Sequence, residues 1–310
     1  MHIPDGFLST RVWGTMDVVA APAVALLAKR AQREFDHHKV PLMGVMGAFI
    51  FAAQMINFPV GNGTSGHLVG AALLAYTLGP AAASIVMTAI LATQALIFQD
   101  GGLLALGTNI FNMAIAGVWL GYLPFAMLRG GKAGVFLGGM LSLLVSASLA
   151  LTELLASGVP IPPAILALSG ALFVVSAVIE GAITLAVVQA LERMQPGVLR
   201  QPKGLNSRTG LVLGATSAAL AAAGIFVAST RPDGIESLAQ RTGIWSRVTT
   251  VFRAPMADYQ TTLAITPWLG RSLAGLAGLA LVYVVCLVIS RMLVASRPPL
   301  SAAATPREGV

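Results

Sequence analysis

Residues 163–193, PAILALSGALFVVSAVIEGAITLAVVQALER, carry a single charged side chain, Glu180, between Pro163 and Ala190. A bilayer's hydrocarbon core, about 30 Å thick, is crossed by about 20 helical residues, so this run is long enough to span it. Eight further apolar segments accompany it, at about 12–31, 39–57, 66–79, 81–98, 104–128, 132–157, 209–229 and 268–294. Hydrophobic residues make up 56% of the 310 and charged ones 10%, where a soluble domain has about a quarter charged. The pattern predicts an all-α integral membrane protein, with about seven helices up to residue 195 and two C-terminal transmembrane helices flanking an external loop at about 230–266. Segment 66–79 is short enough to be re-entrant or half-buried, and Pro80 offers the further alternative of one long bent helix through 98.

Charge selects between these topologies. With nine crossings and an external N-terminus, the inner side holds Lys29, Arg30, Arg33, Lys39, Arg129, Lys132, Arg193, Arg200, Lys203, Arg208, Arg291, Arg297 and Arg307, 13 of the 19 basic residues. Merging 66–79 with 81–98 would move Arg129 and Lys132 outside, so the positive-inside rule favours separate segments and a cytoplasmic C-terminus in the cell (inner) membrane. The net charge of +7 is scattered among loops. It reads as a topology signal in a lipid bilayer, with no nucleic acid implied. The N-terminus lacks the basic, apolar and cleavage regions of a signal peptide. A single cysteine, Cys286, excludes disulfides within the chain and a thiolate cluster. The chain divides at about 194–208, where Gln195-Pro196-Gly197 is followed by Arg200, Lys203 and Arg208, and residues 196–208 read as a cytoplasmic linker between a unit at 1–195 and another at 209–297. Residues 298–310 read as a disordered cytoplasmic tail.

The chain opens Met1-His2-Ile3-Pro4-Asp5-Gly6-Phe7-Leu8. A histidine at position 2 offers a metal the Met1 amine, the His2 backbone nitrogen and the His2 imidazole in fused chelate rings, leaving one planar position for a second imidazole. Four nitrogens in a square suit Ni(II) and Cu(II) rather than tetrahedral zinc. A bulky second residue blocks removal of Met1, and Pro4 with Asp5-Gly6 makes the segment an ordered hook rather than a helix start. Gly61-Asn62-Gly63-Thr64-Ser65-Gly66-His67 brings a second histidine to a membrane entrance on the same side. His67 is the natural fourth ligand, against a histidine simply hydrogen-bonded at the interface. Asn62 and Ser65 are loop candidates. Asn109 and Asn112, in Gly107-Thr108-Asn109-Ile110-Phe111-Asn112-Met113, share a helical face, where they either hold an imidazole or bond to another helix.

Asp17, Glu153 and Glu180 are ionisable groups in or near apolar segments and so functional candidates, with an ordinary structural hydrogen bond as the favoured reading. His37 and His38 lie in a charged inner turn. The twelve methionines lack a clustered repeat and read as packing. Ala21 and Ala25 form a small-xxx-small pair suited to close helix contact.

Met-His-Ile-Pro-Asp-Gly-Phe-Leu, Gly66-His67 and the run from Asp100-Gly101-Gly102 to Asn112-Met113 together resemble the CbiM/NikM family over about residues 1–195. Arg231-Pro232-Asp233-Gly234-Ile235-Glu236 and Ala254-Pro255-Met256-Ala257-Asp258-Tyr259 resemble the PDGLE domain, similar to the family's small accessory component. The resemblance implies a substrate-binding S component of an energy-coupling-factor transporter, with Met1, His2 and His67 binding Ni(II) or Co(II) as transported substrate. It also implies a membrane coupling (T) component and ATPase subunits as partners. The sequence holds no Gly-x-x-x-x-Gly-Lys-Ser/Thr loop, so ATP hydrolysis is expected in those subunits. A membrane metalloenzyme and a passive channel are the competing classes. The first needs an open coordination position, which a closed nitrogen square lacks in its plane.

Overall fold

The computed structural model describes residues 1–34, 37–199, 204–261 and 266–295. Asp36, Arg200, Lys203, the side chain of His37 and the tail at 298–310 lie outside the described residues.

Among the described residues, ten helices and one hairpin account for the nine apolar segments and the loop between the last two. They are α1 Thr10–Glu34, α2 Val40–Gln54, β1 Asn57–Gly61, β2 Thr64–His67, α3 Ala71–Leu78, α4 Pro80–Phe98, α5 Leu106–Met127, α6 Lys132–Ala156, α7 Pro163–Met194, α8 Ser207–Phe226, α9 Gly234–Thr242 and α10 Pro267–Ala295. Seven of these helices are long and apolar enough to cross a membrane, and α2, at 15 residues, is a shorter apolar one. The molecule is therefore an all-α, multi-pass membrane protein. α4 ends, and α5 continues, in wider π-type turns at Gln94–Phe98 and Ile110–Gly117.

The expectation of nine full crossings needs correction at the third segment. α3 has eight residues, which span only about 12 Å. Gly79, at φ +87°, separates it from α4, so the two do not merge into one bent helix. Residues 55–70 between α2 and α3 are instead a two-stranded antiparallel hairpin with its connections. Irregular backbone and strand edges survive at membrane depth only where protein encloses them, and all eight residues of α3 are buried. Its amino end meets the carboxylate of Glu180, which accepts from the backbone N–H groups of Val69 and Gly70, both at 2.8 Å. These are donors that a helix start leaves unpaired. Glu180, the one charge in the central apolar run, is thus the cap of a half-length helix. Toward its other end, Tyr76 donates to the Gly121 and Val135 carbonyls at 3.1 and 3.3 Å.

α2 is the centre of the packing, with 11 of its 15 residues buried. The C-terminal helices α8 and α10 lie against it. A Cβ on Gly47 would stand 2.6 Å from Cys286 Sγ, so only glycine admits α10 this closely. The lone cysteine is buried there. Ala21 and Ala25 are exposed on α1.

Candidate functional site

The first eight residues fold back under the loops at one end of the bundle. Asp5 accepts from the N–H groups of Leu103 (2.9 Å), Leu104 (2.8 Å) and Ala105 (3.2 Å), capping the approach to α5. Asn109 clasps Ile3 from both sides, its Oδ1 accepting from the Ile3 N–H at 2.9 Å and its Nδ2 donating to the Ile3 carbonyl at 3.1 Å. Gly102 N–H also donates to the Ile3 carbonyl, at 2.9 Å. Gly6 adopts φ +93°, and a Cβ there would lie 1.9 Å from the Arg247 carbonyl oxygen. Glycine is therefore required on two counts.

This hook carries Met1 and His2 to His67, which ends β2. Relative exposures are 6%, 7% and 5%, so all three are buried. The Met1 amine stands 2.5 Å from His67 Nε2. His67 Nδ1 faces the Leu68 carbonyl at 3.0 Å. A carbonyl can only accept, so Nδ1 carries the proton and Nε2 offers its lone pair. Burial, then the neighbouring ammonium of Met1, lowers the His67 pKa to about 3, so the ring is neutral at any physiological pH. The His2 ring stacks on that of His67 with centroids 5.5 Å apart and planes 10° apart. His2 Nδ1 lies 2.9 Å from Asp100 Oδ1, while its buried Nε2 makes no hydrogen bond. The four nitrogens anticipated from sequence are brought together, but parallel rings do not point their in-plane lone pairs at one centre.

Two carboxylates escaped the sequence reading. Asp233 Oδ2 pairs with the Met1 ammonium and lies 3.8 Å from His67 Nε2. Its burial opposes ionisation, yet the Met1 ammonium brings its pKa below the usual carboxylate value. Asp100 Oδ2 accepts a hydrogen bond from the Tyr259 hydroxyl at 2.6 Å. Although burial again pushes upward, His2 and Tyr259 hold it well below the ordinary range. Asp233 was legible as an N-cap, since Asp233 and Glu236 form the D-x-x-E pattern of a capping box. The structure shows that box opening α9. Nothing local in the sequence tied it to a residue 232 positions earlier.

The loop candidates fall elsewhere. Ser65 binds the 231–232 segment, its Oγ donating to the Arg231 carbonyl at 2.7 Å and its N–H to the Pro232 carbonyl at 2.8 Å. Asn62, at the hairpin tip, offers its carbonyl to Arg241 at 2.6 Å. Asn112 turns from the site and donates to Glu153 at 2.7 Å, and Asp17 accepts from the Gly107 N–H at 2.9 Å. The hydrogen-bonding reading therefore describes Asp17, Glu153 and Glu180. His38 is exposed beside α2, at the other end of the bundle.

A helical membrane bundle that buries its amino terminus between two imidazoles and two carboxylates defines a multi-pass protein with a polar, nitrogen-rich site at one end. The family model CbiM, described as cobalt uptake substrate-specific transmembrane region, matches residues 2–198. The chain belongs to this family, and is accordingly a membrane component of metal uptake rather than an enzyme. It is 33% identical over 227 residues to the cobalt transport protein CbiM of Streptomyces coelicolor, covering 68% of this chain and 96% of that one. The fused nickel transport protein NikMN of Rhodobacter capsulatus is 27% identical over 329 residues, covering 91% and 95%. A crystal structure of a truncated transition metal transporter, 38% identical, superposes with TM-score 0.53 over 63% of this chain and 99% of that one.

Proposed function

We propose that this protein is the substrate-specific component of an ATP-driven, energy-coupling-factor importer, and that it captures Ni(II) or Co(II) from the external side. The observation that carries this reading is the buried Met1 amine, 2.5 Å from the lone-pair nitrogen of a neutral His67. Adjacent corners of a nitrogen square with metal bonds of about 2.0 Å lie about 2.8 Å apart, close to that separation. The Met1 amine, His2 amide nitrogen, His2 imidazole and His67 Nε2 supply the four corners. Closing the square turns the His2 ring out of its stack and exchanges its Asp100 contact for the metal. Square-planar nitrogen coordination favours Ni(II), and low-spin Co(II) accepts a similar field.

Residues 1–195 form the binding unit, 196–208 a cytoplasmic linker, 209–297 the accessory PDGLE-like unit and 298–310 a cytoplasmic tail. The fused NikMN relative, aligned over 91% of the chain, supports this division. The N-terminus lies outside the cell (inner) membrane and the C-terminus inside. A membrane coupling component and separate ATPase subunits drive release, and the exposed Ala21–Ala25 face of α1 is the surface offered to the coupling component.

The test is a Ni(II) titration of two proteins in detergent. One has a free Met1 amine, verified by intact mass. The other carries an N-terminal tag that turns the amine into an amide. Tight binding should belong to the first alone, and equal affinities would refute the site.

A further inference from the structure

Asp233 belongs to the C-terminal segment, outside the stretch matched by the family model, yet it is a partner of the first atom of the chain. Its two oxygens have separate tasks. Oδ1 accepts from the N–H groups of Ile235 at 2.8 Å and Glu236 at 2.9 Å, capping α9. Oδ2 faces the Met1 amine. The segment that carries it is fastened to the site by backbone bonds from several directions. Ser65 N–H donates to the Pro232 carbonyl at 2.8 Å, Ser229 N–H to the Asn57 carbonyl at 2.8 Å, and Thr249 N–H to the Asp5 carbonyl at 3.1 Å.

We propose that Asp233 is a positioning residue for metal capture, holding one N–H of the Met1 amine so that its lone pair turns toward His67 and the incoming cation. The inference rests on the reading of Met1 as a ligand. The geometry follows from a tetrahedral nitrogen. An ammonium here has one N–H directed at His67 Nε2 and another at Asp233 Oδ2. When a divalent cation binds both nitrogens, the proton on the His67 side leaves for solvent and the lone pair it frees turns to the cation. The N–H toward Asp233 stays, so the same hydrogen bond aims the amine before and after loading. A freely rotating terminus would have no such bias, and groups that orient metal ligands in this way matter nearly as much as the ligands themselves. The appended segment thereby completes a site whose nitrogens all come from the first 67 residues.

Two substitutions in the full-length chain separate this role from simple support of α9. Asp233→Asn keeps an N-cap oxygen, because asparagine caps as well as aspartate, but presents an NH2 group to the amine. Ni(II) affinity should fall about 10- to 100-fold, with the melting temperature little changed. Glu236→Ala removes the other half of the capping box, the 3.0 Å bond to the Asp233 N–H, and leaves the amine contact intact. Its affinity should stay within about threefold of the native value. Asp233→Ser, which also caps, carries the test if the asparagine variant fails to fold. Native or tighter binding by the capped Asp233 variants would overturn the inference, as would an equal loss in Glu236→Ala. The N-terminally tagged protein keeps the two readings apart. If it binds as tightly as the free form, Met1 is not a ligand. If tagging abolishes binding while Asp233→Asn changes nothing, only the positioning role fails.

Discussion

At the scale of single residues, the two asparagines on one helical face have divergent tasks. Asn109 holds both polar groups of Ile3, one residue from His2, whereas Asn112 binds Glu153. Asn109→Ala should loosen the hook and weaken Ni(II) binding about tenfold, while Asn112→Ala leaves affinity unchanged. Calorimetry on both variants decides it, and equal effects would show that the clasp is irrelevant. Protons give a second residue-level test. The His67 pKa is lowered from 6.5 to about 3 by burial first and the Met1 ammonium next, so this ring has no proton to release at any pH above that value. The proton release that accompanies binding then comes from groups other than His67. Affinity should fall with pH by about tenfold per unit for each proton displaced. His67→Ala should weaken binding yet leave the slope of log Kd against pH, between pH 6 and 8, as it is in the native protein. A slope reduced by one proton would mean that His67 enters the reaction charged. Proton counting from sequence assigns His67 an ordinary histidine range. Its surroundings, which no local motif reveals, move it.

At the scale of elements, the informative piece is the eight-residue α3 with the hairpin before it. Both amide hydrogens at its start depend on Glu180. Hydrogen bonds to a charged group contribute about 1.5–3 kcal/mol each, and leaving buried donors unpaired costs a similar amount. Glu180→Ala should therefore lower stability by about 3 kcal/mol or more and disorder the connection between His67 and α3, with Glu180→Gln intermediate. Thermal unfolding in detergent measures this, and an alanine variant as stable as the native chain would refute the capping role. Apolar runs predicted the order and placement of the long helices because burial in lipid needs only composition and length. The shortness of the third run allowed a half-buried segment, but nothing in the run shows what holds its start. That depends on a buried acid more than a hundred residues away accepting two amide protons. Gly79-Pro80 marked the break between α3 and α4, and here the reading of separate segments matches the structure.

At the scale of the whole molecule, the orientation is open to direct test. Cysteines introduced at Ser207 and Thr250 occupy exposed positions at opposite ends of the bundle, and the native Cys286 is buried. In intact cells, a membrane-impermeant maleimide should label Thr250→Cys and spare Ser207→Cys until the membrane is opened. Labelling of both from one side would break the alternation of inner and outer loops. The hook and His67 were readable as one site because the hook supplies three planar nitrogens and leaves one position for a second imidazole. The share of the C-terminal segment was not, since its contacts are backbone bonds and a few scattered side chains such as Asp233 and Tyr259, which leave little trace in composition. The fit of Gly6 beneath the Arg247 carbonyl carries a consequence for biosynthesis. The amino terminus leaves the ribosome first, yet the surface that encloses it is among the last to be made. During most of translation the hook stands uncovered, and it can be locked only after about four-fifths of the chain has emerged, counted from the positions of Gly6 and Arg247. Assembly of this end of the protein is thus a late event by construction, and a nascent chain halted before residue 247 should present its first residues to protease.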